Sequence, residues 1–373
     1  MAQELYIGLM SGTSLDGVDG VLAQFDDAPG EPGLRVLGHA HRPFDEALRA
    51  ELLALNAPGA NELHRCALAG NALARLYADL VQDLRSRADA PVRAIGAHGQ
   101  TVRHRPGHFD GVGYTLQLNA PALLAELTGL DVVADFRSRD VAAGGQGAPL
   151  VPAFHKAVFA RGHRSAVLNV GGMANITVLD EDGTFGFDCG PGNVLIDLWC
   201  MRHLHRPYDS DGAWAAGGRV MEPLLAAALH EPFFSAAPPK STGRDDFNAA
   251  WLDALIARVP QASSASAQDI QATLTELTAR AAAVQIKAFA PRAQELIVCG
   301  GGALNAELMR RLASQLAGLP VASSAERGLP PLQVEAAAFA WLARAFMRAE
   351  PGNLPRATGA RGLRVLGSLY PGA

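Results

Sequence analysis

Gly8-Leu9-Met10-Ser11-Gly12-Thr13-Ser14-Leu15-Asp16-Gly17-Val18-Asp19 is the stretch from which the fold can be read. Leu5 to Met10 is a short apolar run of the kind a buried strand makes, and Val18 to Phe25 reads as a second strand. The turn therefore joins strand to strand and opens no helix. Its small residues let backbone N–H groups approach an anion, and the hydroxyls of Ser11, Thr13 and Ser14 add donors. Asp16 and Asp19 suit Mg²⁺, directly or through water, because that ion prefers hard oxygens. The plain alternative is a hairpin turn, which needs none of these groups.

The second half opens the same way. Ala166 to Val170 is a strand, Gly171-Gly172 a turn, and Ile176 to Leu179 a strand. Glu181-Asp182-Gly183 is a hairpin signal leading to a third strand that runs toward Asp188. Two halves that begin strand, glycine turn, strand predict a duplicated fold with a cleft between the copies. In Asn169-Val170-Gly171-Gly172-Met173-Ala174-Asn175 amides replace the hydroxyls of the first turn, and they suit phosphate oxygens or a sugar. Asp188, at a strand end before Gly190-Pro191-Gly192-Asn193 and a helix from Val194 to Leu204, suits a general base. A turn or capping aspartate is the structural alternative.

A third glycine turn, Cys299-Gly300-Gly301-Gly302-Ala303-Leu304-Asn305, follows a buried strand, Glu295 to Cys299. It would let a nucleotide base and ribose lie against the backbone, although tight helix–strand packing also calls for glycine. The helices expected elsewhere cover about 61–88, Ala267 to Ala290, Asn305 to Leu316 and Glu335 to Met347. Strand-like pieces at Val92 to Ala97 and Leu130 to Ala134 lead into His98-Gly99-Gln100-Thr101 and Asp135-Phe136-Arg137. Pro232 to Ser241 and Pro260 to Ala267 read as an exposed loop and a surface linker. Arg137 suits bidentate grip of a carboxylate, or an ion pair with Asp135 or Asp140. Glu335 opens an apolar helix, where the helix dipole favours a carboxylate in any case.

At 373 residues the chain suits two domains. Its 49% hydrophobic and 18% charged residues are an ordinary globular balance. A net charge of −5 offers no basic face for nucleic acid. The first twenty residues lack the basic start and apolar core of a signal peptide, and no apolar run reaches the roughly 18 residues of a membrane span. Cys66, Cys189, Cys200 and Cys299 are widely spaced and read as reduced thiols, so a cytoplasmic location is expected. The only lysines are Lys156, Lys240 and Lys287, and none follows a Gly-rich phosphate loop. Nucleotide binding here needs a scheme other than the P-loop.

Taken in series, GLMSGTSLDGVD at 8–19, HGQTVRHRP at 98–106, DFRSRDVAAGGQGAPLVP at 135–152 and NVGGMANIT at 169–177 resemble the anhydro-N-acetylmuramic acid kinases. GFDCGPGN at 186–193, KSTGRDDFN at 240–248, CGGGALN at 299–305 and EAAAFAWLA at 335–343 continue the resemblance through nearly the whole chain. It implies an α/β, two-domain actin-like ATPase of the duplicated ribonuclease H-like kind. The first domain would span 1–160, with the tail 348–373 packing back on it, and the second 161–347. The resemblance also implies ATP with Mg²⁺, a homodimer, and ring opening of 1,6-anhydro-N-acetylmuramic acid with water as co-substrate during peptidoglycan recycling.

Carried over by this resemblance, Asp188 is the catalytic base, and Asp16 and Asp19 face the metal. Gly12, Thr13, Ser14, Leu15, Asp16, Gly17, Val18 and Asp19 bind ATP, joined by Gly171, Gly172 and Asn175 and, near the adenosine, by Gly300, Gly301, Gly302 and Asn305. Ser14, His98, Gln100, Arg137 and Glu335 are the expected sugar contacts. Two rivals stay open at this level: a kinase for an ordinary amino-sugar hydroxyl, and a chaperone-like or filament-forming ATPase on the same fold.

Overall fold

The computed structural model describes residues 4–12, 14–26, 33–160, 162–181 and 183–373. The chain divides into two compact units, Met1–Phe159 with Leu332–Ala373, and Ala160–Pro331. No described helix is long and apolar enough to cross a membrane.

In the first unit β1 (Glu4–Ser11), β2 (Gly17–Phe25) and β3 (Leu34–Pro43) form an antiparallel meander. β4 (Val92–Pro106) runs parallel to β1, and its far end carries β5 (Gly113–Leu118) as an antiparallel partner. β6 (Val132–Ala134) runs parallel to β4, and a C-terminal strand, Ser368–Tyr370, closes that edge. The inner strands are covered on both faces, which is why they read as nearly continuous apolar runs. The helix Glu62–Arg85 buries Leu73, Tyr77, Leu80 and Leu84 with Ile7, Leu9 and Ile95 on one face.

The other face is covered by the helix Val334–Met347, at very close range. A Cβ on Gly8 would lie 1.9 Å from Ala336 O, and one on Gly96 would lie 2.0 Å from Phe339 O. Gly8 thus serves helix–sheet packing. The same contact corrects the expected second domain, 161–347: its last helix belongs to the first unit, and the second unit ends at Pro331. Sequence periodicity marks a helix but not the sheet on which it rests.

β4 also runs further than its apolar start suggests, through His98–Thr101 to Pro106. Its pairing with β1 slips between Leu9 and Ser11, where Gly99 takes φ +80°. A Cβ there would lie 2.6 Å from Leu118 O, so glycine is required. The irregularity sets Gln100 opposite Ser11.

The second unit repeats the plan. β7 (Ser165–Val170), β8 (Met173–Asp180) and β9 (Gly183–Pro191) form the meander; β10 (Leu296–Cys299) is parallel to β7, and β11 (Val321–Ser323) is parallel to β10. Both sheets therefore order their common strands third, second, first, fourth, fifth. This is a duplicated ribonuclease H-like fold. The helix Ala267–Phe289 packs Ala279, Ala282, Ala283 and Ile286 into the β7–β10 core. A satellite core around Leu195, Trp199, Leu225, Phe247 and Leu252 gathers the short helices after β9. Within the expected loop 232–241, Pro232–Ser235 is helical and Lys240 is partly buried over the Phe233 ring. The expected linker after Pro260 is a 3₁₀ turn, Pro260–Ser264.

Candidate active site

The β1–β2 turn is braced from β4. Gln100, 1% exposed, accepts from Ser11 Oγ through Oε1 and donates from Nε2 to Gly12 O at 3.1 Å. Its amide is thus used on the turn, which Gln100 braces from β4. Leu15, at φ +56°, and Val18 are buried and anchor the turn from below. Ser14 and Asp16 are exposed, with Ser14 Oγ donating to Asp16 Oδ1 at 2.6 Å. Thr13 lies outside the described residues.

Asp19, one strand position pair further on, holds His39 Nε2 at 3.0 Å and His41 Nδ1 at 3.2 Å on the same oxygen. Among the described residues no group of three or more His, Cys, Asp or Glu is placed to hold a metal ion. An exposed Asp16 fits Mg²⁺ nonetheless, because that ion commonly takes one or two carboxylates and completes its shell with phosphates and water.

Just past the carboxyl end of β6, beside the middle of β4, His98 and Arg137 meet. Arg137 Nε donates to His98 Nε2 at 3.0 Å, and Arg137 Nη1 donates to Gly147 O at 2.7 Å. His98 is 4% exposed and its ring packs 4.6 Å from that of Phe339. Burial, and then the Arg137 charge, hold its pKa well below the ordinary histidine value. Glu335 lies one helical turn before Phe339, on the same face of the helix. The structure thereby gathers His98, Arg137 and the start of Glu335's helix, three segments far apart in sequence.

In the second unit Asp188 sits near the end of β9, half-buried, opposite Asn175 of β8. Its Oδ2 accepts the backbone N–H of Thr242 at 3.0 Å, and its own N–H donates to Lys240 O at 3.1 Å. Thr242 and Lys240 are the residues that motif reading left without a role. The segment KSTGRDDFN stands out as a motif, but nothing local says that it clamps a carboxylate 54 residues away. Lys240 Nζ donates to Phe233 O at 3.0 Å, and burial lowers its pKa against the opposing pull of Cys189 and Asp188. Asn175 Oδ1 is buried and has no partner among the described residues.

The turn after β7 is laced to the one after β9: Asn193 N donates to Gly171 O at 2.8 Å, and Gly192 N to Gly172 O at 2.9 Å. The three glycines near 300 divide by role. A Cβ on Gly300 would fall 2.5 Å from Asn169 Oδ1, and one on Gly302 2.4 Å from Val170 Cγ1. Gly301 is exposed, and a Cβ there would meet only Asn193 Nδ2, at 3.5 Å. Two of the three are explained by packing on β7, and Gly301 alone offers open backbone. Asn305 accepts from Leu308 N at 2.9 Å as the N-cap of the helix Ala306–Gln315, which accounts for it structurally.

Two ribonuclease H-like units, each with a glycine turn after its first strand, define an actin-like ATPase architecture. The family model for anhydro-N-acetylmuramic acid kinase matches residues 4–372. The anhydro-N-acetylmuramic acid kinase of Variovorax paradoxus (strain S110) is 60% identical over 381 residues, covering 100% of each chain. That of Albidiferax ferrireducens is 58% identical, covering 99% of each. Among solved structures, the activator of the 2-hydroxyisocaproyl-CoA dehydratase from Clostridium difficile with bound ADPNP is 11% identical, with a TM-score of 0.45, over 90% of this chain and 92% of that one. The chain belongs to the anhydro-N-acetylmuramic acid kinase family and is a phosphotransferase.

Proposed function

We propose that the protein uses ATP to open 1,6-anhydro-N-acetylmuramic acid and phosphorylate its 6-oxygen, giving N-acetylmuramic acid 6-phosphate and ADP, as a cytoplasmic homodimer in peptidoglycan recycling. What carries this reading is Asp188: a half-buried carboxylate at a strand end, oriented through Oδ2 by the Thr242 N–H.

The substrate's 6-oxygen is tied to its anomeric carbon, so it has no hydroxyl to deprotonate. Water attacks the anomeric carbon and gives a proton to Asp188. The bond from that carbon to the 6-oxygen breaks, and the freed electron pair forms the bond to the γ-phosphorus as the bond to ADP breaks. The phosphoryl group thus takes the place of the acid carboxyl in a glycosidase. The β1–β2 turn, from Gly12 to Asp19, and Gly171 and Gly172 bind phosphates through backbone N–H groups, and Gly301 lies against the adenosine. Asp16, together with Asp19, would hold Mg²⁺, which would neutralise phosphate charge. Arg137, held by His98, reads the lactyl carboxylate, with Glu335 beside it on the sugar.

One turnover in ¹⁸O-labelled water tests the reaction. Label is expected at carbon 1 of the product, sampled early and corrected for anomeric exchange with unlabelled product in the same water. The bridging oxygen at carbon 6 should stay unlabelled. Label in that bridge would sink the mechanism and favour phosphorylation of an ordinary hydroxyl.

A further inference from the structure

Asp140 is fully buried. It lies on the short helix Ser138–Ala142, three residues past Arg137. Its Oδ2 accepts Gly147 N at 2.8 Å, and its Oδ1 accepts Asn353 Nδ2 at 2.7 Å and Thr358 Oγ1 at 2.8 Å. Two of these donors come from the C-terminal tail, more than 200 positions away. The tail is fastened to the same loop again: Gln146 N donates to Thr358 O at 2.7 Å, and Arg361 N to Ala143 O at 2.9 Å. Space around the carboxylate is closed, since a Cβ on Gly145 would fall 2.2 Å from Asp140 Oδ2.

A buried carboxylate is costly unless its lone pairs are matched, and here three donors match them. Holding a loop down could be done more cheaply with apolar side chains. What the carboxylate adds is direction: it fixes Gly147 from its N–H side. The carbonyl of that residue is the acceptor for Arg137 Nη1. Gly147 itself takes φ +67°, with no room for a side chain against Val141. Gly147 is therefore held by Asp140 at its N–H, in the peptide before its Cα, and holds Arg137 at its C=O, in the peptide after it.

We propose that Asp140, with Asn353 and Thr358, positions the Arg137 guanidinium through Gly147, making the C-terminal tail part of the apparatus that recognises the substrate's carboxylate. This rests on the reading of Arg137 as the carboxylate contact. The guanidinium has two restraints of known direction, Gly147 O and His98 Nε2. Loosening one lets the charge drift, and small misplacements at a recognition site have large effects.

The test measures KM for the anhydro-sugar, KM for ATP, kcat and thermal midpoint for the full-length enzyme and its Thr358→Val, Asp140→Asn and Arg137→Ala variants. The same changes are then made in the Arg137→Ala background. Thr358→Val, which keeps the side-chain shape, should raise the sugar KM several-fold and Asp140→Asn on the order of tenfold, with the ATP KM unmoved. On top of Arg137→Ala neither should raise it further, because the group they position is gone. A role in stability alone would lower the thermal midpoint, leave the sugar KM in place and give the same effect in both backgrounds. A wild-type sugar KM in folded Thr358→Val, or effects that multiply with Arg137→Ala, overturns the positioning role. If Asp140→Asn does not fold, Thr358→Val decides. If Arg137→Ala itself leaves the sugar KM unchanged, the carboxylate reading fails first and this inference with it.

Discussion

Arg137 Nε lies 3.0 Å from His98 Nε2, and because a guanidinium only donates, that imidazole nitrogen is the bare one. His98 is therefore neutral, with its proton on Nδ1. Protonating it would bury a second positive charge against Arg137. The pair gives Arg137 a fixed bearing and leaves the imidazole uncharged.

Stability should fall with pH below the ordinary histidine range. His98 is held well below 6.5 by burial and Arg137; His104 is pushed down to about 4 by burial first and then Arg137; burial pushes His155 to about 3. Each is bare when folded and binds a proton when unfolded. The contribution is thus complete above about pH 6.5 and is lost as pH falls toward the folded values, at about 1.4 kcal/mol per pH unit for each proton. Urea midpoints from pH 7.5 to 4.5 should show this slope, and His104→Gln should flatten it. An unchanged slope in that variant would remove His104 from the account.

Asp188→Asn should cut turnover by about 10²–10⁴-fold, the usual contribution of a general base. Asparagine keeps an oxygen for the Thr242 N–H, so the local structure and nucleotide binding should persist. Single-turnover rates beside nucleotide titration separate the two. Turnover like that of the wild type would end the general-base assignment.

Asp16→Ala should shift the Mg²⁺ concentration needed for half-maximal rate upward while leaving sugar binding nearly unchanged. Asp16 is the exposed carboxylate of the β1–β2 turn, whereas Asp19 is already bonded to two imidazoles. Rate measured across a Mg²⁺ titration decides it, and an unmoved curve would assign the metal elsewhere.

Gly300→Ala and Gly301→Ala should behave oppositely. At Gly300, φ is +77° and the added methyl would meet Asn169 Oδ1 and Val170 O. A loss of about 1–3 kcal/mol of stability is expected in a denaturant melt. At Gly301 the space is open, so the melt should hardly move while the KM for ATP rises. A Gly301→Ala enzyme with normal ATP kinetics would take the nucleotide away from this turn.

The sequence by itself determined what is local. Apolar runs interrupted by small residues specify strand, turn, strand, and the recurrence of that pattern at Gly171 announced the second copy. The place of Asp188 at a strand end, and the helices at Glu62–Arg85, Ala267–Phe289 and Val334–Met347, follow from periodicity to within a few residues. What only the tertiary structure decided is which of these pieces meet. A slip in strand register set Gln100 against Ser11 and Gly12. Close packing at Gly8 and Gly96 drew the helix after Pro331 back onto the first sheet. Thr242 reached Asp188, and Asn353 and Thr358 reached Asp140, across intervals that no short pattern spans. Periodicity records which face of an element is apolar. A hydrogen bond between distant segments depends on where the packed elements place their ends, and that is settled only when the chain has folded.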